Sequence, residues 1–154
     1  MGAADFRIQT ANEDHAIPIR RLVRSSGINP TSLDWRRFLV AMDADGRLVG
    51  CGQIKPHHDG SQELASLAVI PTWRRRGVAR AIIEALLAEH QSDLYLMCQS
   101  SLGPLYAKFG FEAIDEAQMP TYFRRVSKLA GVLENLRKQG EGLLIMHRPG
   151  SNSS

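Results

Sequence analysis

A basic segment that ends in Gly-x-Ala-Arg is the part of this sequence best suited to bind an anion. It consists of Arg74, Arg75, Arg76, Gly77, Val78, Ala79 and Arg80. An apolar run precedes it and an amphipathic helix pattern follows it, so the loop leads into a helix N-terminus. Free N–H groups and the positive end of the helix dipole favour an anion there. The arginines supply charge for a phosphate, and Gly77 lets the backbone approach it closely.

This loop resembles a known family motif. Arg74-x-x-Gly77-x-Ala79 is similar to the acyl-CoA pyrophosphate loop, Q/R-x-x-G-x-G/A, of the GNAT superfamily of N-acetyltransferases. A second segment, LYAKFGFE at 105–112, resembles the late signature of the same family and begins 31 residues after Arg74. The resemblance runs from about Phe6 to Arg148. The alternative is a solvated basic turn that opens a helix without binding a ligand.

The resemblance implies roles for residues on the apolar run. The backbone of Leu67, Ala68 and Val69 is expected to pair with the pantetheine of acetyl-CoA, with the Leu67 N–H polarising the acetyl carbonyl. Glu63 is the only acid in the stretch 61–73. We expect it to take the proton of the attacking amine, directly or through a water that it orders. The alternative for Glu63 is a solvent-facing carboxylate beside a turn.

The late signature supplies the candidate acid. Tyr106 is expected to protonate the departing CoA thiolate, since a phenol and a thiol have similar pKa values. Its alternative is a packed ring with its hydroxyl in water. Gln99 is a candidate CoA contact, although the family often has Asn at that place and often has Ala where Gly103 stands.

The predicted elements alternate in a way that fixes the fold class. Strands are expected near 6–9, 38–42, 48–55, 62–70, 94–97, 111–114 and 143–147, with helices between the first and second strands and after the fourth, fifth and sixth. This order predicts an α/β fold with a mixed, mostly antiparallel central sheet of about seven strands flanked by helices. The resemblance adds splayed central parallel strands. We expect one acyl-CoA N-acyltransferase domain over 1–148 and a disordered polar tail at 149–154.

Composition and charge limit the possible classes of function. The 154 residues are 44% hydrophobic and carry a net charge of +3, which is too small for a dedicated nucleic-acid binder. Cys51 and Cys98 are predicted to be buried thiols rather than a disulfide, which favours a cytoplasmic location. No membrane contact and no metal are expected. The segment His57-His58-Asp59 is interpreted as a solvated turn.

The expected activity follows from these parts. An amine attacks the thioester of acetyl-CoA directly in a ternary complex, and the acceptor is expected to be a small molecule or an amino acid. The alternatives are acetylation of a protein N-terminus or lysine, acetylation of an aminoacyl-tRNA, or a non-catalytic acyl-CoA sensor. The helical stripe over 120–138 suits either a lid or a dimer surface, so a homodimer stays open.

Overall fold

The computed structural model describes residues 5–137 and 142–151. Its strands are β1 (Phe6–Thr10), β2 (Phe38–Asp43), β3 (Leu48–Pro56), β4 (Gln62–Val69), β5 (Leu94–Gln99), β6 (Glu112–Ala113) and β7 (Leu143–Arg148). Its α-helices are α1 (Ala16–Ser25), α2 (Val78–Glu89), α3 (Gly103–Ala107) and α4 (Thr121–Arg137). The strands form a seven-stranded sheet in the order β1-β2-β3-β4-β5-β7-β6. The predicted fold class, a mixed and mostly antiparallel sheet flanked by helices, is confirmed.

The chain divides into two compact units. The first contains the residues up to Lys55 together with Leu64–His90, and the second contains Pro56–Glu63 together with the residues from Gln91 onward. The first unit therefore holds β1 to β3, most of β4, α1 and α2. The second holds the β3–β4 turn, the beginning of β4, the last three strands, α3 and α4.

In the first unit, β3 separates two layers of helix packing. Cys51 lies in a buried cluster with Leu22 and Val23 of α1. Its neighbours Gly50 and Gly52 face α2 instead, because alternate residues of a strand point to opposite faces. A Cβ at Gly50 would lie 2.7 Å from Val78 Cγ1, so glycine is required for α2 to pack this closely.

In the second unit, β7 is covered on both faces. Phe123 of α4 is fully buried in a cluster with Ile145. The adjacent Leu144 faces α3, where a Cβ at Gly103 would lie 3.0 Å from Leu144 Cδ1. An alanine, which the resembled family often has at this place, would require the end of the Leu144 side chain to shift by a few tenths of an ångström.

Leu129 on α4 and the start of the polar tail both differ from what the sequence predicts. Leu129, which belongs to the predicted apolar stripe on α4, is 63% exposed, while the core contact is made by Phe123. The predicted polar tail begins with residues that the structure places: Gly150 N–H donates to Asp93 Oδ1 at 2.6 Å, and Ser151 N–H to Gln91 O at 3.0 Å. Residues 152–154 lie outside the described residues.

Candidate active site

The predicted phosphate loop joins β4 to α2 through unusual backbone geometry. Arg75 and Gly77 both have left-handed backbone, with φ of 65° and 84°. Gly77 is the N-cap of α2 and has no side chain, so the first N–H groups of the helix stay available to an anion. Ala81 N–H donates to Gly77 O at 3.0 Å and closes the first turn of the helix. The loop therefore has the geometry expected of an anion site.

The charges around this loop face solvent. Arg74, Arg75, Arg76 and Arg80 are all exposed. Among them, the Arg76 guanidinium stacks over Trp73 at 4.6 Å, and Arg80 Nε donates to Glu84 Oε1 at 2.8 Å. Arg74 Nε donates to Val69 O at 3.3 Å. Val78 is buried and Ala79 half-buried, so these two anchor the start of the helix.

Replacing Gly77 with valine is expected to weaken CoA binding by roughly 5- to 150-fold. A β-branched residue at φ 84° costs about 1–3 kcal/mol, and the loop would relax away from its binding conformation to avoid that cost. Calorimetric titration with CoA measures the effect. Gly46→Val is the matched control, since Gly46 has φ 79° in the β2–β3 turn and, as at Gly77, an added Cβ meets no atom within 4 Å. Equal loss of affinity in both variants would contradict the assignment.

Strand β4 is kinked at Ser66. This serine has a left-handed φ of 57° in the middle of the strand, and its carbonyl accepts the Cys51 Sγ–H of β3 at 3.5 Å. Because the peptide group is planar and trans, the following N–H of Leu67 points opposite to that carbonyl, away from Cys51. The left-handed residue interrupts the regular backbone of β4 directly before Leu67.

Glu63, at the beginning of β4, is buried and paired. Its Oε1 lies 2.7 Å from His57 Nε2, and the two side chains are only 5% and 8% exposed. When Glu63 is ionised it only accepts hydrogen bonds, and His57 Nε2 then carries the hydrogen of this contact. The solvent-facing alternative for Glu63 is thereby wrong, and a buried carboxylate is held in one orientation. In the same region, Glu63 lies opposite Tyr95 in the parallel pairing of β4 with β5.

Helix α4 covers the Glu63–His57 pair. The Tyr122 ring stacks on His57 with centroids 3.7 Å apart, and Phe123 meets His57 edge-on at 5.5 Å. Burial, and next the negative charge of Glu63, raise the pKa of the Tyr122 phenol. The Tyr122 N–H donates to Asp59 Oδ2 at 2.9 Å, which ties the start of α4 to the turn that carries His57.

The interpretation of His57-His58-Asp59 as a solvated turn is wrong for His57. His58 and the backbone around Gly60 are exposed, but the His57 ring points inward to Glu63. The hairpin register explains the difference: His57 N–H donates to Ser61 O at 2.9 Å, so residues on both sides of the turn are brought together. The pairing of residues on the two sides of this turn therefore predicts that His57 and Glu63 lie close together.

An open cleft lies in the second unit. It encloses about 470 Å³ and is lined by Asp59, Gly60, Ser61, Gln62, Ser92, Asp93, Tyr95 and Pro120. Hydrogen bonds from the Gly150 N–H and His147 lower the pKa of Asp93. Although burial opposes it, hydrogen bonds from Ser61 and the Tyr122 N–H lower the pKa of Asp59. The cleft is therefore polar and anionic at neutral pH.

Tyr106 lies on α3, with its ring edge-on to Phe111 at 6.3 Å. Burial, with a smaller contribution from Cys98, raises the pKa of the Tyr106 phenol to about 12. The sequence-based expectation of similar phenol and thiol pKa values does not hold here, because the pKa of an ordinary thiol is about 8.5, well below that of this phenol. Tyr106 therefore keeps its proton at neutral pH.

The cysteines lie in strands as buried free thiols, as expected. Burial raises the pKa of Cys98, and raises that of Cys51 to about 12, so both stay as unreactive thiols at neutral pH. The Cys98 Sγ–H contacts Met146 Sδ at 3.9 Å.

Cys98→Ser is accordingly expected to keep kcat within about twofold, because a protonated thiol is a poor nucleophile. Mass spectrometry of the wild-type protein after incubation with acetyl-CoA should show no added acetyl group. A stable acetyl adduct that disappears in Cys98→Ser would instead establish a covalent intermediate. Cys51→Ser is the matched control, because Cys51 is also a buried cysteine.

The remaining candidate residues divide between the two units. Gln99 is exposed at the end of β5, in the same unit as Glu63 and Tyr106. Leu67, Ala68, Val69 and the loop 74–80 belong to the other unit. Within residues 5–137 and 142–151, no group of three or more His, Cys, Asp or Glu side chains could hold a metal ion. No helix in the same part of the chain is long and apolar enough to cross a membrane.

Comparison with known proteins places this chain in a family. The model of the acetyltransferase (GNAT) domain matches residues 34–113, just over half of the chain. This protein therefore belongs to the GNAT acetyltransferase family.

Relatives extend the comparison. A mycothiol acetyltransferase of Mycolicibacterium gilvum (strain PYR-GCK) is 34% identical over 96 residues, which cover 53% of this chain and 32% of that protein. The fold is shared with N-acetylglutamate synthase from Neisseria gonorrhoeae, solved with coenzyme A and N-acetyl-glutamate (TM-score 0.70, 22% identity, 95% of this chain and 35% of that one). It is shared also with the ribosomal-protein-S18-alanine N-acetyltransferase of Escherichia coli (TM-score 0.69, 19% identity, 97% and 96%). The chain thus spans about a third of the length of the first two.

Proposed function

We propose that this protein transfers an acetyl group from acetyl-CoA to a primary amine by direct attack in a ternary complex. The observation that carries the proposal is the buried carboxylate of Glu63, which His57 holds by a hydrogen bond and which lies on the strand that also carries Leu67. A protein that only binds acyl-CoA requires the loop, but it does not require a carboxylate that a histidine holds in one orientation.

Acetyl-CoA is assigned to β4 and the loop that follows it. The pyrophosphate meets the N–H groups of the first turn of α2 and the arginines between Arg74 and Arg80. Pantetheine pairs with the backbone from Leu67 to Val69, and the Leu67 N–H donates to the thioester carbonyl. The contact of the Ser66 carbonyl with Cys51 supports this role, because the Leu67 N–H of the same trans peptide then points away from Cys51.

The reaction then needs one base and one donor. The amine nitrogen attacks the thioester carbon, and its proton passes to the Glu63 carboxylate directly or through a water, with His57 holding that carboxylate in place. The C–S bond breaks and the electron pair leaves on sulfur. Tyr106 donates its hydrogen bond, and then its proton, to that sulfur, so that free CoA thiol and an amide are formed. Proton exchange with solvent returns both residues to their starting states.

A small cationic amine or amino acid is the proposed acceptor. The polar cleft of about 470 Å³ includes Gln62, which directly precedes Glu63 in β4. Asp59 and Asp93 make its lining anionic, which favours a cationic amine and disfavours a polyanion such as tRNA. The name of the Mycolicibacterium gilvum relative, a mycothiol acetyltransferase, supports the choice of a small acceptor.

Calorimetry followed by a thiol-release assay tests the proposal. Purified protein is titrated with acetyl-CoA and then mixed with amino acids, polyamines, amino sugars and N-terminal peptides while free thiol is followed. Binding with thiol release on small amines is the expected result. Release on peptides alone would move the acceptor to a protein N-terminus. Binding without release would favour the acyl-CoA sensor, and absence of binding would refute the loop assignment.

A further inference from the structure

A single buried amide connects two strained parts of the first unit. Gln53 of β3 is 0% exposed, and its Nε2 donates to Ser66 Oγ at 2.9 Å and to Ser32 O at 3.2 Å. Both serines have left-handed backbone, with φ of 57° and 56°. Among the described residues outside glycine, Arg75 is the only other with a positive φ.

Arg37 is the third partner of Gln53 and completes this network. Arg37 Nε donates to Gln53 Oε1 at 3.2 Å, and Arg37 Nη2 donates to Ser32 O at 3.2 Å. Both hydrogens and the oxygen of the Gln53 amide are thus used, as a fully buried amide requires. A left-handed non-glycine residue persists only where its surroundings hold it, at a cost of about 1–3 kcal/mol. The hydrogen bonds of Gln53 supply that restraint at Ser66 and at Ser32.

We propose that Gln53 is a positioning residue that fixes the β4 kink at Ser66 and thereby aims the Leu67 N–H at the acetyl carbonyl. Gln53 cannot touch a ligand, because it is fully buried. It acts through Ser66, whose peptide group to Leu67 sets the direction of that N–H. Without the amide, Ser66 relaxes toward extended backbone, and the N–H of Leu67 returns toward the regular strand direction. This inference rests on the proposed carbonyl contact of Leu67.

The variants separate positioning from simple stability. Gln53→Met removes all the amide hydrogen bonds while keeping an unbranched side chain of similar size. Ser66→Gly removes the cost of the left-handed conformation, because glycine adopts positive φ readily. The double variant, Gln53→Met with Ser66→Gly, is therefore expected to recover what Gln53→Met alone loses. Gln9→Met is the matched control: Gln9 lies in the same unit on β1, and its hydrogen bond from Arg7 is exposed.

The readout is the infrared carbonyl stretch of bound acetyl-CoA that carries carbon-13 at the thioester carbonyl, which requires no acceptor. In the wild-type protein and in Gln9→Met, the donor at Leu67 is expected to shift this band to lower frequency than in free acetyl-CoA. Gln53→Met should lose most of the shift while it still binds CoA through the loop. The double variant should regain the shift.

The outcomes are distinct for the two proposals. A full shift in Gln53→Met, or a loss that persists in the double variant, would overturn the role of Gln53. Absence of the shift in the wild-type protein would instead remove the carbonyl contact at Leu67, and the role of Gln53 with it. If Gln53→Met does not fold, Gln53→Glu replaces it, alone and combined with Ser66→Gly. Glutamate keeps an acceptor for Arg37 but loses the donors to Ser66 and Ser32, so the same loss and recovery are expected.

Discussion

Replacing Glu63 with glutamine is expected to lower kcat by about a hundred- to ten-thousand-fold, the range typical of a lost general base. The affinity for acetyl-CoA should stay unchanged, because glutamine has the same size and its Oε1 still accepts from His57 Nε2, now 2.7 Å from the carboxylate. Steady-state turnover of the best amine from the panel, together with calorimetric titration of acetyl-CoA, measures the two quantities separately.

Two further variants make this result specific. Glu89→Gln makes the same chemical change at an exposed position on α2 and should leave kcat unaltered. His57→Phe keeps a ring that can stack on Tyr122 but loses the hydrogen bond to Glu63, so an intermediate loss of kcat is expected. Full turnover in Glu63→Gln would show that the reaction uses water without this carboxylate.

The elements of the fold were predictable because their signals are local. The helix after Gly77 was expected from apolar residues at a helical period, and it runs from Val78 to Glu89. The turn at Asp43 to Gly46 follows from its Asp and Gly residues, which are typical of hairpin turns. The structure confirms it, with Asp43 Oδ1 accepting from the N–H groups of Asp45 and Arg47.

The contacts that shape the site were less predictable because they depend on register. Glu63 and Tyr106 were singled out through family motifs, yet His57 was set aside as solvated. Its contact with Glu63 arises only when the hairpin folds back and α4 closes over it. The role of Gln53 likewise depends on the kink at Ser66, and a serine in an apolar strand gives no local sign that it will adopt a positive φ.

Replacing Tyr106 with phenylalanine is expected to lower kcat by about a hundred-fold, toward the lower end of the range for a lost general acid. Phenylalanine keeps the edge-on contact with Phe111, so the packing of α3 and the affinity for acetyl-CoA should be preserved. The loss of kcat is smaller than for Glu63→Gln because proton transfer to a thiolate from a phenol with a pKa of about 12 is unfavourable. Its main contribution is then a hydrogen bond to the sulfur as the C–S bond breaks.

The pH dependence of turnover tests the same assignment. Tyr106 is active in its protonated form, and burial raises its pKa from 10.0 to about 12, so it stays active as the pH rises through 10. Ionisation of this phenol should therefore reduce kcat only as the pH approaches about 12. An ordinary tyrosine would instead produce a break in the pH profile of kcat at about pH 10. A break near pH 10 that disappears in Tyr106→Phe would show that the phenol is less buried than the structure gives. Unchanged kcat in Tyr106→Phe would transfer the protonation of CoA to solvent.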